Sequence, residues 1–167
     1  TPRYATPWQV SLTVLIGQLP SYPQQGYQHS SWLTADGRHL VMADETHGIP
    51  MHVAKVDTLS NISVVSMFQS QLLAPAQTTS IPHNPFMAGN YCVISYYHDG
   101  VQIYDLSDPL NPVQYAWYDT EPNNTTYSGY QGAWGTYPYF PSSTIIGTAA
   151  GKSDGTDEAA AAAKTGW

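Results

Sequence analysis

The sequence predicts an all-β protein assembled from repeated antiparallel meanders, and three observations carry that prediction. Only 10% of the 167 residues are charged, against about 25% in a typical soluble domain. Aromatics make up 13%, with 13 Tyr and 5 Trp against 3 Phe. Such a chain is neither a disordered acidic polymer nor a helical bundle. Thirteen Gly and thirteen Pro punctuate it at short intervals, as many short strands require. Finally, the chain repeats itself. Gly26-Tyr27-Gln28 precedes Trp32, Gly129-Tyr130-Gln131 precedes Trp134, and His83-Asn84-Pro85-Phe86 lies near the midpoint. His29 and His83, like Trp32 and Phe86, stand 54 positions apart. Self-similarity of this kind marks a repeat architecture.

The elements follow in order. Residues 8–16 read as the outer strand of a preceding unit. In the first full unit, strand one ends at the Asp36-Gly37-Arg38 turn and strand two runs from His39 to Ala43. After the Thr46-His47-Gly48 turn, strand three covers Met51 to Asp57 and strand four Ser63 to Phe68. In the second, the Gly89-Asn90 turn separates strand one from Tyr91 to Tyr96. Asp99-Gly100 suits a tight hairpin needing positive φ, and Val101 to Asp105 follows. Both prolines of Asp108-Pro109-Leu110-Asn111-Pro112 lack an N–H, so that segment must be a loop before Val113 to Tyr118. Loops at Ser70 to Pro82 and Thr120 to Gly129 join the units, and residues 132–147 supply two strands of a further one.

A four-stranded meander of about 50 residues has the size of a β-propeller blade. The expected organisation is a preceding outer strand and connection (1–28), blades at 29–82 and 83–128, the first strands of a third at 129–147, and a non-propeller tail at 148–167. Within that tail, Ala159 to Ala163 could form a short helix capped by Asp157 or serve as a linker, since five alanines are marginal as a helix alone. Closed propellers have about four to eight blades, so the ring is incomplete within this chain. Further blades of the same polypeptide, or a protein partner, are expected to complete it, and the opening Thr1-Pro2-Arg3 suggests a trimmed start.

Several stretches resemble the LVIVD-repeat, or choice-of-anchor B, proteins. They are Ser21-Tyr22-Pro23-Gln24-Gln25-Gly26-Tyr27, Trp32-Leu33-Thr34-Ala35-Asp36-Gly37-Arg38, Ala43-Asp44-Glu45-Thr46-His47-Gly48, Ile81-Pro82-His83-Asn84-Pro85-Phe86 and Tyr104-Asp105-Leu106-Ser107-Asp108-Pro109. Gly129-Tyr130-Gln131-Gly132-Ala133-Trp134 and Tyr137-Pro138-Tyr139-Phe140-Pro141-Ser142 complete the set. The resemblance covers about residues 8–147 and is specific as a set rather than motif by motif. The chain departs from the family after Ile146, where a closing strand pair is usual. The resemblance implies a β-propeller and an extracytoplasmic place, whether secreted, cell-surface or lumenal. It implies no reaction, because propellers host many functions.

Five Lys and Arg against twelve Asp and Glu, a net charge of −7, cannot neutralise a phosphate backbone, so nucleic acid is not an expected partner. Apolar runs such as Val14-Leu15-Ile16 and Leu40-Val41-Met42-Ala43 are far short of a bilayer span. Cys92 is alone and supports neither a disulfide framework nor a thiolate zinc site. No nucleophile elbow, P-loop or His-Glu-x-x-His motif occurs.

The six His are the residues that ask for an explanation. In a meander, the start of strand one and the turn between strands two and three share one end. His29, His83, His47, His98 and His52 therefore fall on one rim with Asp44, Glu45 and Asp99, and His39 on the other. Imidazole and carboxylate together can bind a divalent transition ion, which makes His29, His47, His83, His98, Asp44 and Glu45 the candidate ligands. The favoured role is structural, with no cofactor. His29 and His83, nearer the propeller axis, have the better chance of sharing an ion. Trp32, Phe86 and Trp134 are expected to anchor packing between blades. Tyr22, Tyr27, Tyr127 and Tyr130 could stack on sugar rings. Asn61, Asn123 and Asn124 fit the glycosylation pattern should the protein be eukaryotic. The expected function is a non-catalytic protein-interaction or structural scaffold module. A metal-dependent enzyme or metal-binding propeller, and a carbohydrate-binding module, are the alternatives.

Overall fold

A computed structural model describes residues 14–70, 80–121, 129–150 and 159–164. It contains no helix among them. Eleven strands form antiparallel sheets of four, four and three. The first sheet is β1 (Gln28–Leu33), β2 (His39–Asp44), β3 (Met51–Lys55) and β4 (Ser63–Phe68), hydrogen-bonded in chain order. The second is β5 (Asn84–Ala88), β6 (Tyr91–Ser95), β7 (Val101–Asp105) and β8 (Val113–Tyr118), again in order. β9 (Gly132–Tyr137) pairs with β10 (Thr144–Ala150), and the backbone of an eleventh strand, β11 (Ala159–Lys164), runs antiparallel along β10. The alanine run is thus strand rather than a short helix or a linker. Five alanines do not nucleate a helix, whereas the open edge of β10 offers a ladder of backbone partners.

The two four-stranded sheets share their register. Val41 faces Val53 and Val53 faces Ser66 in the first, and Val93 faces Ile103 and Ile103 faces Ala116 in the second. Both carry a bulge at the same place, with Val65 of β4 and Tyr115 of β8 as the extra residues. A bulge adds local twist and is built in rather than accidental. Its recurrence makes the pair true structural repeats.

Alternation along the strands sends successive side chains to opposite faces. Val41, Ala43, Met51 and Val53 of the first sheet pack with Cys92, Ile94, Tyr96 and Tyr104 of the second. The opposite face of the second sheet sends Val93, Val101 and Ile103 against Ala133 and Ile145 of the third. β1 lies beside β5, and β9 lies beside both β6 and β5. No closed ring is formed among the described residues.

Turns follow the sequence. Gly37, Gly89 and Gly100 all have positive φ, a conformation that side chains other than glycine's resist. A Cβ on Gly100 would lie 2.0 Å from the Tyr118 carbonyl oxygen, so this position also needs the empty space. Trp32 is less buried than a packing anchor should be. It meets Phe86 at 5.0 Å and Tyr139 at 6.1 Å between ring centroids, yet 39% of it stays exposed. Trp134 does not take the corresponding place and stacks instead on His83 at 5.3 Å. Residues 14–16 form no strand, and the rest of the expected preceding strand lies outside the described residues.

Candidate functional site

The site forms where β1, the end of β2 and the start of β5 converge. In β1, Gln28 pairs with Asp44 and Ser30 with Ala43, so His29 is the extra residue of a bulge. A bulge re-aims its side chain, and this one leaves the His29 ring half-exposed and turned toward Glu45. The loop end of β2 is tied to the same strand. The Glu45 amide donates to the Tyr27 carbonyl at 2.8 Å, and the Tyr27 amide to the Thr46 hydroxyl at 2.9 Å. His83 is fixed from the second sheet. Its amide donates to the Ser95 carbonyl at 3.0 Å, and its carbonyl accepts from the Ser30 hydroxyl across the sheet boundary.

These constraints bring two imidazoles and one carboxylate together. The His29 and His83 rings stack with centroids 4.5 Å apart and 23° between planes. Glu45 lies beside both, with Oε2 3.6 Å from His29 Nδ1 and Oε1 3.7 Å from His83 Nε2. One ligand atom from each of the three falls within 4.8 Å of the others. The Tyr97 hydroxyl donates to Glu45 Oε1. Burial and the acceptor Glu45 together push the Tyr97 phenol far above its ordinary value, so it remains a donor.

His83 has a defined tautomer. Its Nδ1 meets the Trp134 carbonyl, which can only accept, so Nδ1 carries the proton. The Asn84 Nδ2 lies 2.7 Å from the same nitrogen and also donates to the Trp134 carbonyl, at 3.4 Å. The remaining nitrogen, Nε2, is left with its lone pair facing Glu45. Burial holds the His83 imidazole below its ordinary value, the Trp134 bond notwithstanding, and the neighbouring His29 adds to that lowering. Three sheets therefore contribute: His29 and Glu45 from the first, His83 and Tyr97 from the second, and the Trp134 carbonyl from the third. Pairing of Tyr97 with Ala133, at 3.0 and 2.8 Å, ties the third sheet in.

The structure separates the other candidates from this cluster. Asp44 is buried and accepts from the Tyr22 hydroxyl at 2.9 and 3.0 Å and from the Gly26 amide at 2.6 Å. It closes the turn before β1. His47 is exposed, with its ring edge-on to Tyr130 at 5.7 Å. His98 is buried, 2.8 Å from Asp99, which also accepts from the Ser80 hydroxyl at 2.8 Å. His47 and His98 do not occupy matching positions in their turns. Aligning Gly48 with Gly100 matches His47 to Asp99 and Thr46 to His98, so one His faces out and the other in.

That same alignment puts Tyr97 in the place of Glu45. Tyr97 and Asn84 are residues that sequence reasoning missed, and this equivalence was the available signal for Tyr97. His39 lies in the opposite turn, beside Thr34, as strand order requires. Tyr22 is half-buried and committed to Asp44, whereas Tyr27 and Tyr130 are exposed. Asn61 is exposed in the turn between β3 and β4. Tyr127, Asn123 and Asn124 lie outside the described residues. Among the described residues no helix is long and apolar enough to cross a membrane. No protein-family model, curated protein or solved structure matches the chain.

Proposed function

We propose that the two four-stranded sheets are blades of a β-propeller outside the cytosol, acting as a non-catalytic protein-interaction or structural scaffold module of a larger protein or complex. The observation that carries this is the aromatic surface of β8. Val113, Tyr115, Trp117 and Tyr118 are all exposed on that one strand. Tyr and Trp on an accessible strand are the residue types that dominate protein contacts. A groove of about 360 Å³ on the outward face of the first sheet, lined by Leu40, Val56 and Ile62 with Tyr22, Gln25 and Gln28, offers a second place for contact. The exposed apolar surface of β8 suits a chain whose neighbour is a further blade or a partner. The resemblance of residues 8–147 to the LVIVD-repeat proteins supports the extracytoplasmic placement.

Light scattering on the purified 167-residue chain tests the proposal. Self-association is expected, and Tyr115→Ser with Trp117→Ser should reduce it. A monodisperse monomer that unfolds cooperatively would overturn the reading, because β8 would need no cover.

A further inference from the structure

The geometry points to a binding site for one divalent first-row transition ion, held by His29, Glu45 and His83 at the junction of the first two sheets. The separations are the first argument. At 3.6 and 3.7 Å the nitrogen-to-carboxylate distances exceed a hydrogen bond. A tetrahedral ion with bonds of about 2.0–2.1 Å sets its ligand atoms roughly 3.4 Å apart. The three groups are spaced around an ion rather than joined to one another.

The outer contacts are those a metal site needs. A ligating His ordinarily donates its other ring nitrogen to a carbonyl or carboxylate, which fixes the tautomer. His83 does this through Nδ1 to the Trp134 carbonyl, leaving Nε2 for the ion. Tyr97 steadies Glu45 Oε1, the oxygen on the His83 side, and leaves Oε2, 3.6 Å from His29 Nδ1, without that bond. Two neutral imidazoles and one carboxylate suit zinc and its first-row neighbours better than calcium or magnesium, which prefer oxygen. The half-exposed His29 keeps one side of the site open to solvent, where a water can supply a fourth ligand. The ion would pin the first strands of neighbouring sheets together. Its site lies among β1, β2 and β5, at the far edge of the second sheet from β8. It therefore stands or falls independently of protein binding at β8.

The test is titration of chelator-treated protein with Zn²⁺ by calorimetry, and with Co²⁺ by visible absorption. One equivalent should bind and raise the unfolding temperature. Glu45→Gln, which keeps the size of the side chain, and His29→Ala should each weaken binding at least about 100-fold, and Tyr97→Phe about 10–100-fold. His39→Ala, on the opposite rim, should leave it unchanged. Circular dichroism checks each variant's fold, and Glu45→Gln carries the test if His29→Ala fails to fold. Absence of stoichiometric binding, or binding that Glu45→Gln leaves intact, would overturn the assignment.

Discussion

β4 and β8 hold the same place in their two sheets, carry a bulge in the same register and are both six residues long. Their environments differ. Phe68 at the end of β4 is 8% exposed, while Tyr118 at the end of β8 is 44% exposed. Val65 packs against the core between the first two sheets, whereas its counterpart Tyr115 is 55% exposed and meets Tyr91 at 4.9 Å. The second sheet covers β4, and the shorter third sheet leaves β8 open. Equivalent strands thus acquire different roles from what lies beside them. β4 is partly covered, at Val65 and Phe68, and β8 is largely surface.

The sharpest way to break this comparison is to truncate both aromatics. Phe68→Ala should cost about 3–5 kcal/mol in urea unfolding, and Tyr118→Ala about 0.5 kcal/mol or less. Similar losses would mean that β8 is covered too. A large Tyr118 effect appearing only in a longer polypeptide would identify the cover as a further part of that polypeptide.

Two glycines give a second contrast. Gly100→Ala forces a Cβ against the Tyr118 carbonyl, whereas Gly89, also at positive φ, has nothing within 4 Å. Gly89→Ala should cost about 1–2 kcal/mol for the left-handed backbone alone. Gly100→Ala should exceed that, with the difference read from the shift in urea midpoint.

Trp32→Ala comes next. A fully buried Trp would cost about 3–5 kcal/mol on truncation. With 39% of the ring exposed, about 1–2 kcal/mol is expected, from the lost contacts with Phe86 and Tyr139. A full-sized loss would show that the solution ensemble buries the ring further.

The smallest effect concerns pH. His52 in β3 and Gln102 in β7 occupy the same buried place in the two sheets. Burial holds His52 below its ordinary value of 6.5, despite its bond to the Pro23 carbonyl. Between that lowered value and about pH 6.5 the unfolded chain binds a proton that the folded chain refuses. Stability is therefore complete above this window and falls as the pH drops through it. His52→Gln, which copies the second sheet, should flatten part of the dependence between pH 5.5 and 7.5. His83, lowered in the same direction, should keep the remainder. An unchanged pH profile would assign all of the dependence elsewhere.

The strands were legible because their signals are local. Ser63 to Phe68 and Val113 to Tyr118 match β4 and β8 at both ends, since prolines or turn residues bound them. The two-ended distribution of the His residues was legible too, because strand order in a meander dictates which turns share an end. The site was only half legible. His29 and His83 could be paired by their spacing, but Asp44 and Glu45 are adjacent and looked interchangeable. One is sealed under Tyr22, and the other reaches the two imidazoles.

The sequence by itself determined the all-β class, the repeat and the rim on which each His sits. These depend on turn residues, on the absent N–H of proline and on the alternation of side chains along a strand, all of which act over a few residues. Tertiary structure decided which groups meet. The bulge at His29 shifts the alternation locally and turns that ring toward Glu45, and the approach of β5 to β1 carries His83 alongside. Whether β8 is core or surface was likewise settled by the neighbouring sheet, because burial belongs to a pair of faces and a single strand supplies only one of them.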